Sequence, residues 1–229
     1  MKTLSYSFIL RRLATLLAVI ALTLVLLAGI TGVLLAFYYE PSAGGAYDSL
    51  KFITESVPGG VLIRSLHDIA GNLIIGVALL QIAVMFLGRQ ANRDWFLAWL
   101  SGGFLALFAI GLGWTAIILD WDQIGYWRLK IEIGTISSLP IVGEYIRTIL
   151  LGGDSIGSTT VAHMYAIHSY LLSAIAVVLA IVHFVALVNQ ERRQIGLSAA
   201  SEALPESGST VTSTTPEKPE PVSVGGGVG

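Results

Sequence analysis

From Met164 to Val188 the chain carries no charged side chain, and His168 and His183 stand inside that run. A stretch of this length and apolarity matches a membrane span, where the backbone must satisfy its own polar groups as a helix or a closed barrel. In an α-helix rising about 1.5 Å per residue, the two imidazoles stand about 22 Å apart, most of the way across a hydrocarbon core of about 30 Å. Fifteen steps of about 100° leave them roughly 60° apart, on broadly the same face. A histidine inside a span is costly without a partner and marks a functional site. The stretch therefore reads as one wall of a cofactor cage.

Three further apolar runs complete the set, giving spans at about 13–37, 66–87, 95–119 and 164–188. Only 12% of the 229 residues are charged, against about 25% in soluble domains. The expected fold is all-α, a transmembrane four-helix bundle over residues 1–195. The Ser/Thr/Pro/Gly-rich tail, 196–229, buries too little apolar surface to fold and is expected to be disordered. The N-terminal run is too long for a signal-peptide core and lacks a small-residue cleavage site. A short surface helix is expected over 46–55, broken by Pro58-Gly59-Gly60, and an amphipathic piece over 141–151. WDQIGYW (121–127) falls in the long third connection, and 152–160 reads as a polar loop.

The sequence has no cysteine, which excludes disulfides, Cys-held zinc or iron–sulfur clusters, and thioether-attached haem. A net charge of −2 without a basic patch gives no footing for nucleic acid. Lys2, Arg11, Arg12, Arg89, Arg93, Arg192 and Arg193 all fall on the side of the termini, so the positive-inside rule puts both termini in the cytoplasm.

Span direction then sets levels. The second and fourth spans both run inward, so His67 and His168 share the outer level and His183 lies at the inner one. Two imidazoles facing each other across a bundle are the expected axial ligands of a low-spin b-type haem. Arg64, three residues before His67, is placed to meet a haem propionate. Gln81 occupies the inner position fourteen residues after His67, where a second bis-histidine haem needs a histidine. An amide is a poor iron ligand. At His183 two states stay open: an inner haem with altered ligation, or no haem and a hydrogen bond to Gln81, Tyr170 or a quinone. Gly32 and Gly102, with Ala18 and Ala116 fourteen residues away, offer the space a porphyrin needs.

These residues resemble the cytochrome b family, specifically its N-terminal four-helix half as in cytochrome b6. The likeness covers roughly residues 15–190. It rests on FYYEP (37–41), Ile63 to His67, WDQIGYW with Lys130 and Ile131, Pro140 to Gly143, and Tyr165 with His168 and His183. Family members carry four haem-ligating histidines, and Gln81 stands in for one of them. Val84 and Val188 lie where basic residues are usual, Asp68 replaces an arginine and Asp120 a proline. Leu16 takes the place of the cysteine that tethers a c-type haem in cytochrome b6, so no covalent c-type haem is expected. The family's quinol-site glutamate motif belongs to the following half or to a separate subunit.

The resemblance implies a redox subunit of a quinol:electron-acceptor oxidoreductase, not a complete enzyme by itself. It implies one haem b at His67 and His168, with the inner haem lost or altered. The implied partners are quinol and quinone, a Rieske-type iron–sulfur protein and a subunit IV-like membrane subunit, in a multi-subunit and dimeric complex. The setting is a bacterial cytoplasmic or thylakoid membrane. Two alternatives stand beside it: a haem b anchor of another oxidoreductase, and a diverged non-catalytic structural subunit of a membrane complex.

Overall fold

The computed structural model describes residues 6–88 and 95–203. The loop holding Arg89 and Arg93, and the tail from 204 onward, lie outside the described residues. Two compact units divide the chain, Met1–Arg193 and Gln194–Gly229. The second is helical through Ala203, where its described part ends.

Four helical rods are long and apolar enough to cross a membrane, as expected: Phe8–Ala36, Gly60–Leu87, Phe96–Leu119 and Ser158–Leu197. The first belongs to helix α1 (Tyr6–Ala36). The second and third are α3 (Gly60–Leu87) and α4 (Phe96–Leu119). The fourth is composite, built of α7 (Ser158–Ala166), a π-helical segment (Ile167–Leu172) and α8 (Ser173–Ala203). It begins six residues before the expected start, because Ser158 to Thr160 form a first helical turn rather than loop.

Each rod turns a stripe of small side chains inward. Ala14, Ala18, Ala21 and Val25 are buried on α1, Ala70, Ile74 and Ala78 on α3, Ala98, Leu105 and Ala109 on α4, and Ala176 and Ala180 on α8. Small residues at helical spacing let backbones approach closely, which is how helices associate where lipid removes the hydrophobic drive. The opposite faces carry Ile30, Val33, Leu73, Leu107 and Val178, all exposed and suited to lipid tails. Backbones approach closely between α1 and α3 and between α3 and α4. Among the described residues, α8 makes no extensive close backbone packing with another span and reaches them through side chains such as Ala180 and Leu187.

The two long connections cover the same end of the bundle. The first holds α2 (Ala46–Ser56) and turns sharply into α3 through Gly59, whose φ of 76° favours glycine. The second holds α5 (Gln123–Ser137) and α6 (Gly143–Leu151). The WDQIGYW stretch is thus mostly helix. Asp122 caps it, its Oδ1 accepting from the Gly125 N–H at 2.7 Å. Ile118, Leu129, Ile133, Leu151 and Met164 pack beneath these helices. At the other end an ion pair joins Arg12 of α1 to Glu191 of α8.

Candidate functional site

His67 on α3 and His168 in the π-helical segment face each other with ring centroids 6.3 Å apart and planes tilted by 57°. A metal bound at about 2.0–2.1 Å to one nitrogen of each of two imidazoles sets their centroids at nearly this separation. The two rings expected at one level are thus brought face to face.

Hydrogen bonds fix which nitrogen is free. His67 Nδ1 lies 2.9 Å from the Ala28 carbonyl oxygen, which can only accept, so Nδ1 carries the proton and donates it. His183 Nδ1 donates to the Ala98 carbonyl at 3.0 Å by the same reasoning. His168 Nδ1 lies 2.8 Å from Thr115 Oγ1. That hydroxyl spends its own hydrogen on the Gly111 and Leu112 carbonyls at 2.9 and 3.0 Å, so it accepts from the ring. All three rings are left with Nε2 as the lone-pair nitrogen, the form a metal-binding histidine needs.

The same brace recurs. Thr31 Oγ1 lies 3.2 Å from His67 Nδ1 and Ser101 Oγ 3.1 Å from His183 Nδ1. Each hydroxyl sits three residues after a carbonyl that serves its histidine: Ala28 and Thr31, Ala98 and Ser101. Each also precedes a small residue, giving Thr31-Gly32, Ser101-Gly102 and Thr115-Ala116. The glycines clear the rings directly. A Cβ on Gly32 would come within 3.0 Å of His67 Cε1, and one on Gly102 within 2.7 Å of His183 Cε1. Gly32 thus serves the outer level and Gly102 the inner.

The fourth corner is different. Gln81 Nε2 donates to the Ala14 carbonyl at 2.9 Å, repeating the His67–Ala28 bond fourteen residues away on both helices. No hydroxyl follows three residues later, where Leu17 stands. No hydrogen bond joins His183 to Gln81 or Tyr170. Instead, the buried atoms His183 Nε2 and Gln81 Oε1 have no hydrogen-bond partner among the described residues.

The fifteen-residue interval between His168 and His183 also has a structural explanation. The π-helical segment Ile167–Leu172 absorbs one residue beyond the fourteen-residue repeat of the other three spans. The expected 60° offset of an uninterrupted α-helix therefore does not apply.

Arg64, expected at a propionate, has three protein partners. Its Nη2 pairs with Asp120 Oδ1 at 3.0 Å, its Nη1 donates to Thr54 Oγ1 at 3.2 Å, and its Nε lies 3.9 Å from Asp68. Burial raises the Asp120 carboxyl above its ordinary range, Arg64 pulls it back, and Asp68 and Asp122 add to the rise. Nearby, Tyr39 donates its hydroxyl to the Leu119 carbonyl at 2.8 Å and stacks on Tyr165 with centroids 5.5 Å apart. Burial first, and Asp120 next, push the Tyr39 phenol up.

Histidines on two apolar spans that face each other, with glycines clearing the rings of His67 and His183, mark a four-span membrane protein of the b-type cytochrome class. The family model described as "Cytochrome b/b6/petB" matches residues 4–191, and the chain belongs to this family. Cytochrome b6 of Mastigocladus laminosus is 34% identical over 171 residues, covering 75% of this chain and 80% of that protein. Cytochrome b6 of Prochlorococcus marinus strain MIT 9303 is 32% identical over 160 residues, covering 70% and 73%. A solved chain of a hyperthermophilic respiratory Complex III superposes with a TM-score of 0.65 at 25% identity, covering 81% of this chain and 48% of that one. The chain thus spans about half the length of that solved relative.

Proposed function

We propose that this chain is the haem b-carrying electron-transfer subunit of a membrane quinol-oxidising complex of the b6f or bc kind. The observation that carries the reading is the facing pair His67 and His168, 6.3 Å apart, each with Nδ1 tied to a neighbouring span. A haem b held there supplies a reversible one-electron Fe(III)/Fe(II) couple.

The chain's own residues do the rest. The Ala28 carbonyl and Thr115 hydroxyl hold the two rings in the ligand tautomer and raise their basicity. The buried alanine and leucine stripes keep water out of the bundle, which lowers the local dielectric and strengthens every polar contact inside. Arg64 stands one helical turn before His67, where an arginine would neutralise a propionate. Its pairing with Asp120 supports a charged cluster at the outer rim.

In this reading the partners are quinol and quinone, a Rieske-type iron–sulfur protein and a subunit IV-like membrane subunit, in a dimeric assembly. Both termini face the cytoplasm, so the α2 and α5–α6 connections face the periplasm or lumen. The test is a redox titration of the purified complex. A low-spin b-type spectrum that reduces on adding quinol is expected. A haem that binds but stays oxidised with quinol would point to the anchor or structural alternatives.

A further inference from the structure

We propose that the inner level of the bundle is a single-histidine haem b site, with His183 Nε2 as the sole protein ligand and an exchangeable sixth position beside Gln81. This rests on the reading of the chain as a haem b cytochrome.

Four observations converge. First, His183 is 1% exposed, its Nδ1 proton is committed to Ala98 and Ser101, and its Nε2 has no partner among the described residues. A buried unpaired acceptor is unfavourable, yet the ring is braced in the tautomer that His67 and His168 share. Second, Gly102 removes the side chain that would collide with the ring, as Gly32 does for His67. The inner level thus keeps the brace and the clearance of a ligand site.

Third, Gln81 takes at the inner level the place His67 takes at the outer, because Gln81–Ala14 repeats His67–Ala28 along both helices. Its Nε2 is held by Ala14, so the amide is fixed. Its Oε1, in a residue only 2% exposed, is an acceptor without a donor among the described residues. Fourth, the surrounding side chains are apolar: Leu17, Ala18, Val84, Met85, Ala98 and Leu187. Met85 alone among them carries a group able to bind iron, its thioether, and ligation by it would make the inner haem low-spin, the outcome that overturns the inference.

The chemistry that satisfies both orphan atoms is a metal on His183 Nε2 and a hydrogen donor at Gln81 Oε1. A water in the sixth position supplies the donor. A ligand set of one imidazole and one weak-field water leaves iron high-spin and lets small ligands such as carbon monoxide or cyanide displace the water. Buried acceptors of this kind are met by water or ligand.

The test uses the full chain purified with its co-purifying subunits, compared with variants made in the same membranes. The readouts are electron paramagnetic resonance of the oxidised protein and the carbon monoxide difference spectrum of the reduced protein. Wild type is expected to show one low-spin and one high-spin haem per chain, with carbon monoxide bound only by the latter. His183→Ala should remove the high-spin signal and the carbon monoxide response and keep the low-spin signal, which doubles as the control for folding. Gln81→His should convert the high-spin signal to a second low-spin one and abolish carbon monoxide binding. A single low-spin haem in wild type, or two low-spin haems, would overturn the inner-site inference and leave the outer haem standing. No haem at all would overturn the functional reading itself.

Discussion

Gln81 donates to the carbonyl of Ala14 at 2.9 Å, and this bond holds α3 to α1 at the inner level of the bundle. It copies the bond from His67 to Ala28, fourteen residues away on each helix. The copy preserves the anchor and loses the imidazole. Leu17 likewise stands where Thr31 would be copied, so the hydroxyl is missing from the same corner. One corner of an otherwise repeated frame has changed in two places at once.

The hydroxyl braces have a measurable effect on the iron couple. Thr115→Val keeps the shape and removes the acceptor 2.8 Å from His168 Nδ1. The less basic imidazole should favour Fe(II), raising the outer-haem midpoint potential. A hydrogen bond worth about 0.5–1.5 kcal/mol corresponds to about 20–60 mV for one electron. Thr23→Val, whose exposed hydroxyl bonds only the Val19 carbonyl at 2.9 Å, should leave the potential unchanged. Equal shifts in both variants would refute the brace.

Glycine clearance should be unequal at the two levels. A Cβ at position 102 meets His183 at 2.7 Å, closer than one at position 32 meets His67 at 3.0 Å. His183 is also more buried than His67, while each is held on Nδ1 by one carbonyl and one hydroxyl. Gly102→Ala should cost about 1–3 kcal/mol of stability, the usual range for overpacking, and Gly32→Ala less. Thermal unfolding in detergent, followed by circular dichroism, checks the order. The reverse order would contradict the geometry.

Four spans and the facing of His67 and His168 are legible because apolar length and intramembrane histidines are strong signals. The braces are less so. Serine and threonine in helices ordinarily bond their own preceding turn, and Thr31, Ser101 and Thr115 do that as well. The available clue is that each precedes Gly32, Gly102 or Ala116. The π-helical segment is hidden in a single extra residue, visible only when the interval from His168 to His183 is set against the fourteen-residue repeat. Helix α5 escapes notice because its aromatic start resembles an interfacial loop. Its cap, Asp122 on Gly125, depends on a backbone turn at Trp121, where φ is 49°.

At the outer rim, pH should act through Asp120. Its carboxyl is raised in the folded state, by burial first and against the pull of Arg64. The folded chain then holds its proton more tightly than the unfolded chain. Stability contributed by this group is present at low pH and is lost as pH rises from the ordinary carboxylate value of about 4 through the raised one. Asp120 is half-exposed, so the change is modest. The thermal midpoint of wild type should fall relative to Asp120→Asn over that window. A difference that is flat with pH, or of opposite slope, would refute the assignment.

Arg64 offers a separate test of charge at the same rim. Arg64→Gln removes a cation one helical turn from His67. The loss should lower the outer-haem midpoint potential by some tens of mV, the scale of about 1 kcal/mol for one electron. In potentiometric titration, an unchanged value would mean that Arg64 serves Asp120 and Thr54 alone.

The most direct test of the central pairing is the low-spin signal itself in three single variants: His67→Ala, His168→Ala and His183→Ala. Electron paramagnetic resonance of the oxidised protein should show that signal abolished in the first two and retained in the third. Survival of the low-spin signal without His67 or without His168 would contradict the pairing.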